Sequence, residues 1–268
     1  MTNQINPIKV INTKVNGTDI FVFNYNPENK LYTYSRPFNV GEAKFLVKEF
    51  NQAVSAQYNN ANGLREGLSV DNRTGEIFNM NTLKGILANR LLMNKTDGKQ
   101  WLPTIKEGIQ LQKQDMLPSG FLIDFGIALY TDANYDKEIA QSLVATAKAK
   151  KYAMPVLASF KSLDLQIGGE RYGIMPQIAS ADGLYCGDEA EKLLSDNSFY
   201  RTNSGVRRLI RGRVGDCFAN GVGLVGFFVD CRVGRFSAEG SAQKLEQEAL
   251  ENFSPIRKSL DSIFSSRQ

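Results

Sequence analysis

The sequence of 268 residues contains no histidine. This absence excludes Ser–His and Cys–His nucleophile pairs, metal sites that depend on histidine, and the usual proton shuttle near neutral pH. Any catalysis would have to use carboxylates, lysine, tyrosine or a cofactor. Hydrophobic residues make up 42% and charged residues 22% of the chain, which is typical of a globular protein. The net charge of +4 is too small to require a nucleic-acid partner.

Cysteines and long apolar runs are also scarce. Cys186, Cys217 and Cys231 form no C-x-x-C pair, so we expect neither a paired-cysteine zinc site nor a secreted disulfide framework. The longest nearly apolar run, 222–229, is far shorter than the about 20 residues that span a membrane. Residues 1–14 lack the apolar segment of a signal peptide. The sequence leaves open whether the protein is cytoplasmic or is delivered to a surface by another route.

The periodicity of apolar residues predicts a mixture of helices and short strands. Residues 7–36 are rich in β-favouring residues and contain the turn sequence NPEN, which predicts a β-meander. This irregular order favours an α+β fold over a doubly wound sheet. Predicted helices span 41–58, 81–93, 103–115, 135–151 and 241–265, with a short helical turn at 188–196, and predicted strands span 120–131, 154–160, 163–167 and 172–180.

The spacing of apolar residues also predicts which side of each element is buried. Residues 120–131 alternate apolar positions with smaller or polar ones, which predicts a strand with one face in a core. The predicted buried faces are Ala43, Leu46, Phe50, Ala53, Val54 and Gln57 in the first helix, Leu83, Ile86, Leu87 and Leu91 in the second, and Ile139, Leu143, Val144 and Ala147 in the fourth.

Gly221, Gly223 and Gly226 spell the pattern G-x-G-x-x-G. A dinucleotide fingerprint needs an apolar strand before this pattern, a helix that begins at its last glycine, and an acidic residue about 20 positions later. The preceding residues, RGRVGDCFAN, are charged and interrupted by glycine, and the following FFVDCRVGRF has no helical period. A pair of glycine-rich short strands is therefore the favoured interpretation. A nucleotide-dependent enzyme remains an alternative, and so does a structural protein with a glycine-rich core strand.

Arginines are concentrated close to these glycines. Arg207, Arg208, Arg211 and Arg213 lie within seven residues, and Arg232 follows. Such a cluster can bind phosphates, which keeps an Arg-rich nucleic-acid-binding module as a further alternative. The cluster contains no lysine, however, and lacks the interleaved aromatic residues of a single-strand binder. We favour a structural brace, because the planar guanidinium can bind several carbonyls or carboxylates at once.

Residues 193–238 contain no Lys, Gln, Glu, Met or Trp, although these five types account for 52 of the 268 residues. A fixed window of this length would lack all five by chance roughly once in twenty thousand trials, and choosing the window after inspection weakens this by about two orders of magnitude, which still leaves it unusual. The five amino acids share one property, which is that none of their codons ends in a pyrimidine. Every residue of the window can be encoded by a codon ending in C or T.

The block Ser204-Gly-Val-Arg-Arg-Leu209 resembles the start of the variable region in a group of variable proteins of diversity-generating retroelements, and the length and α+β order of the chain are similar to the archaeal branch of that family. In that family a reverse transcriptase misreads the adenines of a template repeat, so that asparagine codons scatter into residues with pyrimidine-ending codons. The sequence departs from the family pattern at Phe227, where a fixed serine is expected, and at Cys231, where a fixed glycine is expected. The family's fixed anchors resemble Arg211, Arg213, Gly215, Ala219, Leu224, Arg232 and Val233.

The resemblance implies a non-catalytic protein that recognises a ligand through a surface diversified in bulk. It implies an unidentified protein or cell-surface ligand, no nucleic-acid partner, no cofactor and no metal. Arg207, Arg208, Arg211, Arg213 and Arg232 would brace the backbone. The variable, ligand-binding positions would be Ile210, Gly212, Val214, Asp216, Cys217, Phe218, Asn220, Gly221, Val222, Gly223, Val225, Gly226, Phe227, Phe228, Val229 and Asp230.

The fold that the resemblance implies is C-type-lectin-like. Short irregular strands would display the variable surface, with additional strands and helices on the N-terminal side. We accordingly expect a single domain over 1–268, with an N-terminal elaboration of about 1–115. The lectin-like core would cover about 116–268 and contain the variable region at about 203–236.

Overall fold

The structure is a computed structural model that describes residues 11–15, 18–26, 31–117, 122–131, 137–201, 204–212, 216–221, 224, 231–233 and 235–241. The chain divides into two compact units, one formed by residues 38–234 and the other by residues 1–37 together with 235–268. The divisions therefore fall at 37/38 and 234/235, and the single domain with an internal boundary near 115 stays a prediction. Helices and sheets are both present, which confirms the α+β class.

Sixteen strands and five α-helices are described. The strands are β1 Ile11–Val15, β2 Thr18–Asn26, β3 Leu31–Pro37, β4 Ser69–Val70, β5 Ile77–Phe78, β6 Gln100–Trp101, β7 Leu122–Leu129, β8 Val156–Ser159, β9 Leu163–Ile167, β10 Ile174–Ile178, β11 Leu184–Cys186, β12 Tyr200–Arg201, β13 Val206–Arg211, β14 Cys217–Gly221, β15 Cys231–Val233 and β16 Arg235–Ser241. The helices are α1 Val40–Ala56, α2 Thr82–Lys95, α3 Ile105–Lys113, α4 Lys137–Ala149 and α5 Asp188–Asp196.

The smaller unit contains the predicted β-meander. Strands β1, β2 and β3 pair antiparallel in sequence order, and β16 pairs antiparallel with β3. This confirms the strands predicted within 7–36. Residues 27–29 of the predicted NPEN turn lie outside the described residues, as do residues 242–265 of the predicted last helix. Ser241, the first residue of that helix prediction, belongs to β16.

The larger unit is built around β7. Strand β13 runs antiparallel along one edge of β7, while β15 and β8 share the other edge. The sheet continues through β14 to β12 on one side and through β5 to β4 on the other, and β11 pairs with β8. A separate antiparallel hairpin joins β9 to β10. The candidate segment at 203–236 therefore contributes strands on both sides of β7.

Strand β7 is buried on both faces, so the prediction of a single buried face was wrong. Every side chain from Ile123 to Leu129 is buried. Helix α2 covers the face of Asp124, whose carboxylate accepts a hydrogen bond from Thr82. Helix α3 covers the face of Phe125, whose ring lies so close to Gly108 that a Cβ there would be 2.3 Å from it. The alternation predicted the strand but could not reveal a second covering layer.

The helices begin and bury their faces largely as their sequences predict. Asn39 and Glu42 form a capping box at the start of α1, and Thr104 and Glu107 form another at the start of α3. The predicted buried faces of α1 and α4 are confirmed, except that Gln57 is exposed. Helix α2 is buried more completely than predicted: its first eight residues, 82–89, are all buried, whereas Leu91 is only half-buried.

Candidate functional site

The start of the candidate segment is anchored to the end of β7. The backbone N–H of Tyr130 donates to the carbonyl of Gly205 at 2.9 Å. The N–H of Gly205 donates to the Thr131 hydroxyl at 3.0 Å. After these two hydrogen bonds, Val206 and Leu209 are buried, and every residue of β13 pairs with β7. Val206, Leu209 and Ile210 give β13 three buried aliphatic side chains, two of them β-branched, which favours a strand in the core of the sheet.

Arg208 is the centre of a buried polar network. Its Nε and Nη2 atoms both lie 2.9 Å from Asp124 Oδ2, and the two side chains are 1% and 0% exposed. The Thr82 hydroxyl donates to the same oxygen at 2.8 Å, and the N–H of Gly126 donates to Oδ1 at 3.1 Å. A buried charge is tolerated when it is paired and its remaining polar atoms are satisfied. The network therefore ties β13 to β7 and α2.

A bulge in β7 makes this network possible. The pairing of β7 with β13 shifts by one residue between Leu209 and Ile210. Gly126 has φ +134° at this point, and a Cβ there would lie 2.1 Å from the Ala158 carbonyl. Only glycine is compatible with that backbone and that approach. The bulge brings the Gly126 N–H onto the Asp124 carboxylate, a contact that a regular strand would not make.

The other anchor positions that the structure describes are also held by the sheet. Ala219 is fully buried, and its carbonyl accepts a hydrogen bond from the Tyr130 hydroxyl at 3.2 Å. Leu224 is fully buried as well, and its carbonyl accepts from the N–H of Thr82 at 3.2 Å. Arg232 and Val233 pair with Phe78 and Ile77 of β5. Arg213 and Gly215 lie outside the described residues.

The two remaining arginines of the predicted brace differ in exposure. Arg207 is half-buried, and its Nε donates to the carbonyl of Ser204 at 3.1 Å. Arg211 is buried, with 5% of its surface exposed, and it pairs with Cys217 across β13 and β14. Because Arg208 and Arg211 are enclosed by the protein, they cannot contact the phosphates of a nucleic acid. This placement removes two of the residues on which the nucleic-acid alternative depended.

The positions expected to vary fall into two groups where the structure describes their side chains. Asp216 is exposed and Phe218 is half-buried, whereas Ile210, Gly212 and Cys217 are buried. The strand period explains part of this pattern, because Phe218 lies on one face of β14 and Cys217 and Ala219 lie on the other, while Asp216 lies just before the strand. Contrary to the expectation of display, the side chains of Ile210 and Cys217 do not reach the surface.

For the other positions expected to vary, the structure describes either the strand alone or nothing. Asn220 and Gly221 lie on β14, where Gly221 pairs with Arg208. Val214, Val222, Gly223, Val225, Gly226, Phe227, Phe228, Val229 and Asp230 lie outside the described residues.

Cys217 is held in the core by a specific contact. Its thiol donates to Gln112 Oε1 of α3 at 3.0 Å. Burial raises the pKa of the Cys217 thiol above its ordinary value, and the hydrogen bond to Gln112 opposes this only in part. The thiol is therefore neutral at pH 7, and a neutral buried thiol is a poor nucleophile.

A row of apolar side chains crosses three strands at the edge of the sheet. Ile210 lies opposite Phe218, and Phe218 lies opposite Tyr200 of β12. Exposure rises along the row, from 8% for Ile210 to 58% for Tyr200, with Phe218 between them. The rings of Tyr200 and Phe218 are stacked, with centroids 5.3 Å apart and planes 24° apart. Sequence reasoning missed Tyr200 because it precedes the block that marks the variable region.

Of the three glycines in the G-x-G-x-x-G pattern, the structure describes Gly221, and its surroundings differ from those of a phosphate-binding loop. Gly221 lies in β14, which pairs antiparallel with β13 and parallel with the two-residue β12. A dinucleotide fingerprint instead places its first glycine where a parallel strand gives way to a helix. The position of Gly221 within a strand therefore does not support the alternative of a nucleotide-dependent enzyme.

Sequence reasoning also passed over a buried lysine. Lys84 of α2 is 1% exposed, and its Nζ donates to the carbonyls of Gly67 at 2.9 Å and Asn79 at 3.0 Å. Burial lowers the pKa of Lys84 to about 8, and the charge of Glu66 opposes this shift. The lysine joins α2 to the loop before it, and its carbonyl partners suit a structural role.

A groove of about 330 Å³ lies between α1 and α2. Ala53 and Leu87 form part of its lining, together with Arg90 and Lys95. Lys95 Nζ lies 2.8 Å from a carboxylate oxygen of Glu49, and Arg90 Nη1 lies 2.6 Å from one of Asp164. Because both cations already have carboxylate partners, the groove offers little to attract a charged ligand.

No protein-family model, curated protein or solved structure matches the chain. Within the part of the chain that the structure describes, no helix has the length and apolar character needed to cross a membrane. Those same residues include no cluster of three or more Cys, Asp or Glu side chains placed to hold a metal ion. The surface around β12, β13 and β14 is the candidate site that remains.

Proposed function

We propose that the chain is a ligand-recognition protein whose binding surface lies on the 203–236 segment and is diversified by adenine-directed retroelement mutagenesis. The protein binds its ligand and does not catalyse a reaction. Its core is C-type-lectin-like, and its ligand is a protein or another molecule of a cell surface. The observation that carries the proposal is that Asp216 and Phe218 reach the surface close to Arg208, Arg211 and Ala219, which are buried.

Arg208 of the Ser204–Leu209 block and two of the anchors, Ala219 and Leu224, are tied to parts of the chain that lie far away in sequence. Arg208 contacts Asp124, the carbonyl of Ala219 contacts Tyr130, and the carbonyl of Leu224 contacts Thr82. A surface that accepts many different side chains cannot depend on those side chains for its stability. These residues and the backbone carry long-range contacts, so substitutions at the exposed Asp216 and the half-buried Phe218 should cost less stability than substitutions at the buried positions.

The composition supports the same proposal independently of the geometry. The five residue types without pyrimidine-ending codons are missing from 193–238, which includes all of β13, β14 and β15. A requirement for strands alone would not exclude glutamine, glutamate, lysine, methionine and tryptophan together, because tryptophan favours strands. Adenine-directed mutagenesis of asparagine codons would exclude all five.

The test is nucleotide-level sequencing of this gene from a natural population. We expect substitutions to concentrate in codons 210–231, to keep pyrimidine third bases, and to match adenines in a nearby template repeat. The codons of Arg208, Ala219 and Leu224 serve as internal controls, because we expect them to remain constant. Uniform variation along the gene, or unusually constant codons at 216 and 218, would refute the proposal.

A further inference from the structure

The exposed side of the β12–β14 edge combines a stacked aromatic pair with a carboxylate. Tyr200 and Phe218 form the pair, and the exposed Asp216 lies immediately before β14, two residues before Phe218. Cys217, between them in sequence, points into the core. All three side chains have solvent-exposed surface at this edge, and Tyr200 is the more exposed of the two rings, at 58%.

We propose that Tyr200, Phe218 and Asp216 form a subsite for the guanidinium group of an arginine on a protein ligand. A guanidinium is planar and cationic, and it stacks on aromatic faces while donating hydrogen bonds to a carboxylate. The aromatic pair and the exposed carboxylate match these two properties. This inference rests on the proposed function, because it names a ligand group for the same surface.

Neighbouring residues fix the aromatic pair in position. The Phe218 ring packs over Gly212, where a Cβ would lie 2.7 Å from its Cε2 atom. The Phe218 ring also stacks on Tyr200, which the parallel pairing of β12 with β14 holds opposite it. One side of the Tyr200 ring is thus supported by Phe218, and 58% of the residue's surface is exposed to solvent. A rigid aromatic side chain gives a large contact area at a small cost in conformational entropy.

Tyr200 differs from its two partners in one respect that matters for recognition. It precedes the block that marks the variable region, whereas Asp216 and Phe218 are positions expected to vary. Tyr200 would thus be a constant contact shared by every variant of the protein. The carboxylate at 216 and the ring at 218 would belong to this sequence and give it a preference for arginine.

The subsite can be tested with the full chain and two blocked peptides, measured by NMR titration. One peptide alternates glycine and arginine, and the other replaces each arginine with citrulline, which keeps the planar group but has no charge. We expect the citrulline peptide to bind about fivefold more weakly or not at all, and Tyr200→Ala and Asp216→Asn each to weaken arginine-peptide binding about three- to fivefold.

Two further variants separate the subsite from general effects. Phe45→Ala removes an exposed aromatic ring of α1, which is 51% exposed, and should leave peptide binding unchanged. Tyr200→Phe should retain binding, because it keeps the ring face. If Tyr200→Ala fails to fold, Tyr200→Leu, which keeps apolar bulk without a π face, and Asp216→Asn provide the same comparison.

Three results would overturn the inference: equal affinity for both peptides, unchanged affinity in Tyr200→Ala and Asp216→Asn, or no binding at millimolar peptide. These results are distinct from a failure of the proposed function, which population sequencing decides. If codons 216 and 218 vary as expected and the arginine peptide does not bind, only the arginine subsite is wrong. If those codons are constant and the peptide binds, the arginine subsite is right and the proposed diversification is wrong.

Discussion

Arg208 keeps its charge inside the protein because Asp124 lies beside it. The carboxylate accepts from Arg208, Thr82 and the N–H of Gly126, so removal of the arginine leaves a buried anion with only neutral donors. We expect Arg208→Met to lower the free energy of unfolding by about 3–5 kcal/mol in urea denaturation. The double variant with Asp124→Asn should lose less than the sum of the single losses, because the unpaired charge is gone.

Arg207 provides the matched control for this experiment. It is the adjacent residue of the same strand, but it is half-buried and donates only to the carbonyl of Ser204. We expect Arg207→Met to cost about 1 kcal/mol or less, since it removes one partly exposed hydrogen bond. Strict additivity of Arg208→Met and Asp124→Asn would contradict the paired network.

Lys84 makes stability depend on pH in the alkaline range. Because burial lowers the pKa of Lys84 from 10.5 to about 8, the unfolded chain binds more protons than the folded chain between these values. Stability contributed by this group therefore rises with pH from about 8 to about 10.5. We expect the stability of the native protein relative to Lys84→Met to increase across this interval when both are measured by urea denaturation. If the difference in the free energy of unfolding between the native protein and Lys84→Met stays constant from pH 7.5 to 10, Lys84 does not cause the pH dependence.

At the scale of the elements, the β13–β14 hairpin couples two positions that a codon-level process would change independently. A Cβ on Gly212 would lie 2.7 Å from the Phe218 ring, so a larger residue at 212 requires the ring to move. We expect Gly212→Ala to lower the thermal midpoint when Phe218 is present and to have little effect in a Phe218→Ala background. The coupling free energy should be about 0.5–2 kcal/mol. Equal effects of Gly212→Ala in both backgrounds would show that the two positions are independent.

The elements also show how far sequence periodicity extends. It predicted α1, α4, α5 and the meander, because each has one apolar face or a clear alternation with turn residues beside it. It missed the burial of every residue in 82–89 of α2 and of both faces of β7, since burial on a second face depends on which elements pack there. Tyr200 could not be identified as part of the site from sequence, because only the parallel pairing of β12 with β14 brings it to Phe218. Nor does periodicity anticipate the bulge at Gly126, which depends on the approach of β8.

At the scale of the whole molecule, we expect neighbouring positions to differ sharply in how many substitutions they tolerate. Positions 216 and 218 should accept many residues, whereas 209 and 219 should accept few. The fold keeps Asp216 exposed and Phe218 half-buried, while the neighbouring Arg208, Leu209 and Ala219 are 0% exposed. Two libraries of the full chain would measure this, one with pyrimidine-ending codons at 216 and 218 and the other with the same codons at 209 and 219. We expect most members of the first library to resist protease on a display surface, and few of the second to do so, because large or polar residues at 209 and 219 overfill the core or bury unsatisfied groups. Similar resistance in both libraries would mean that the hairpin contributes little to folding. The buried positions would then tolerate substitution as well as the exposed ones do, which would contradict the recognition proposal.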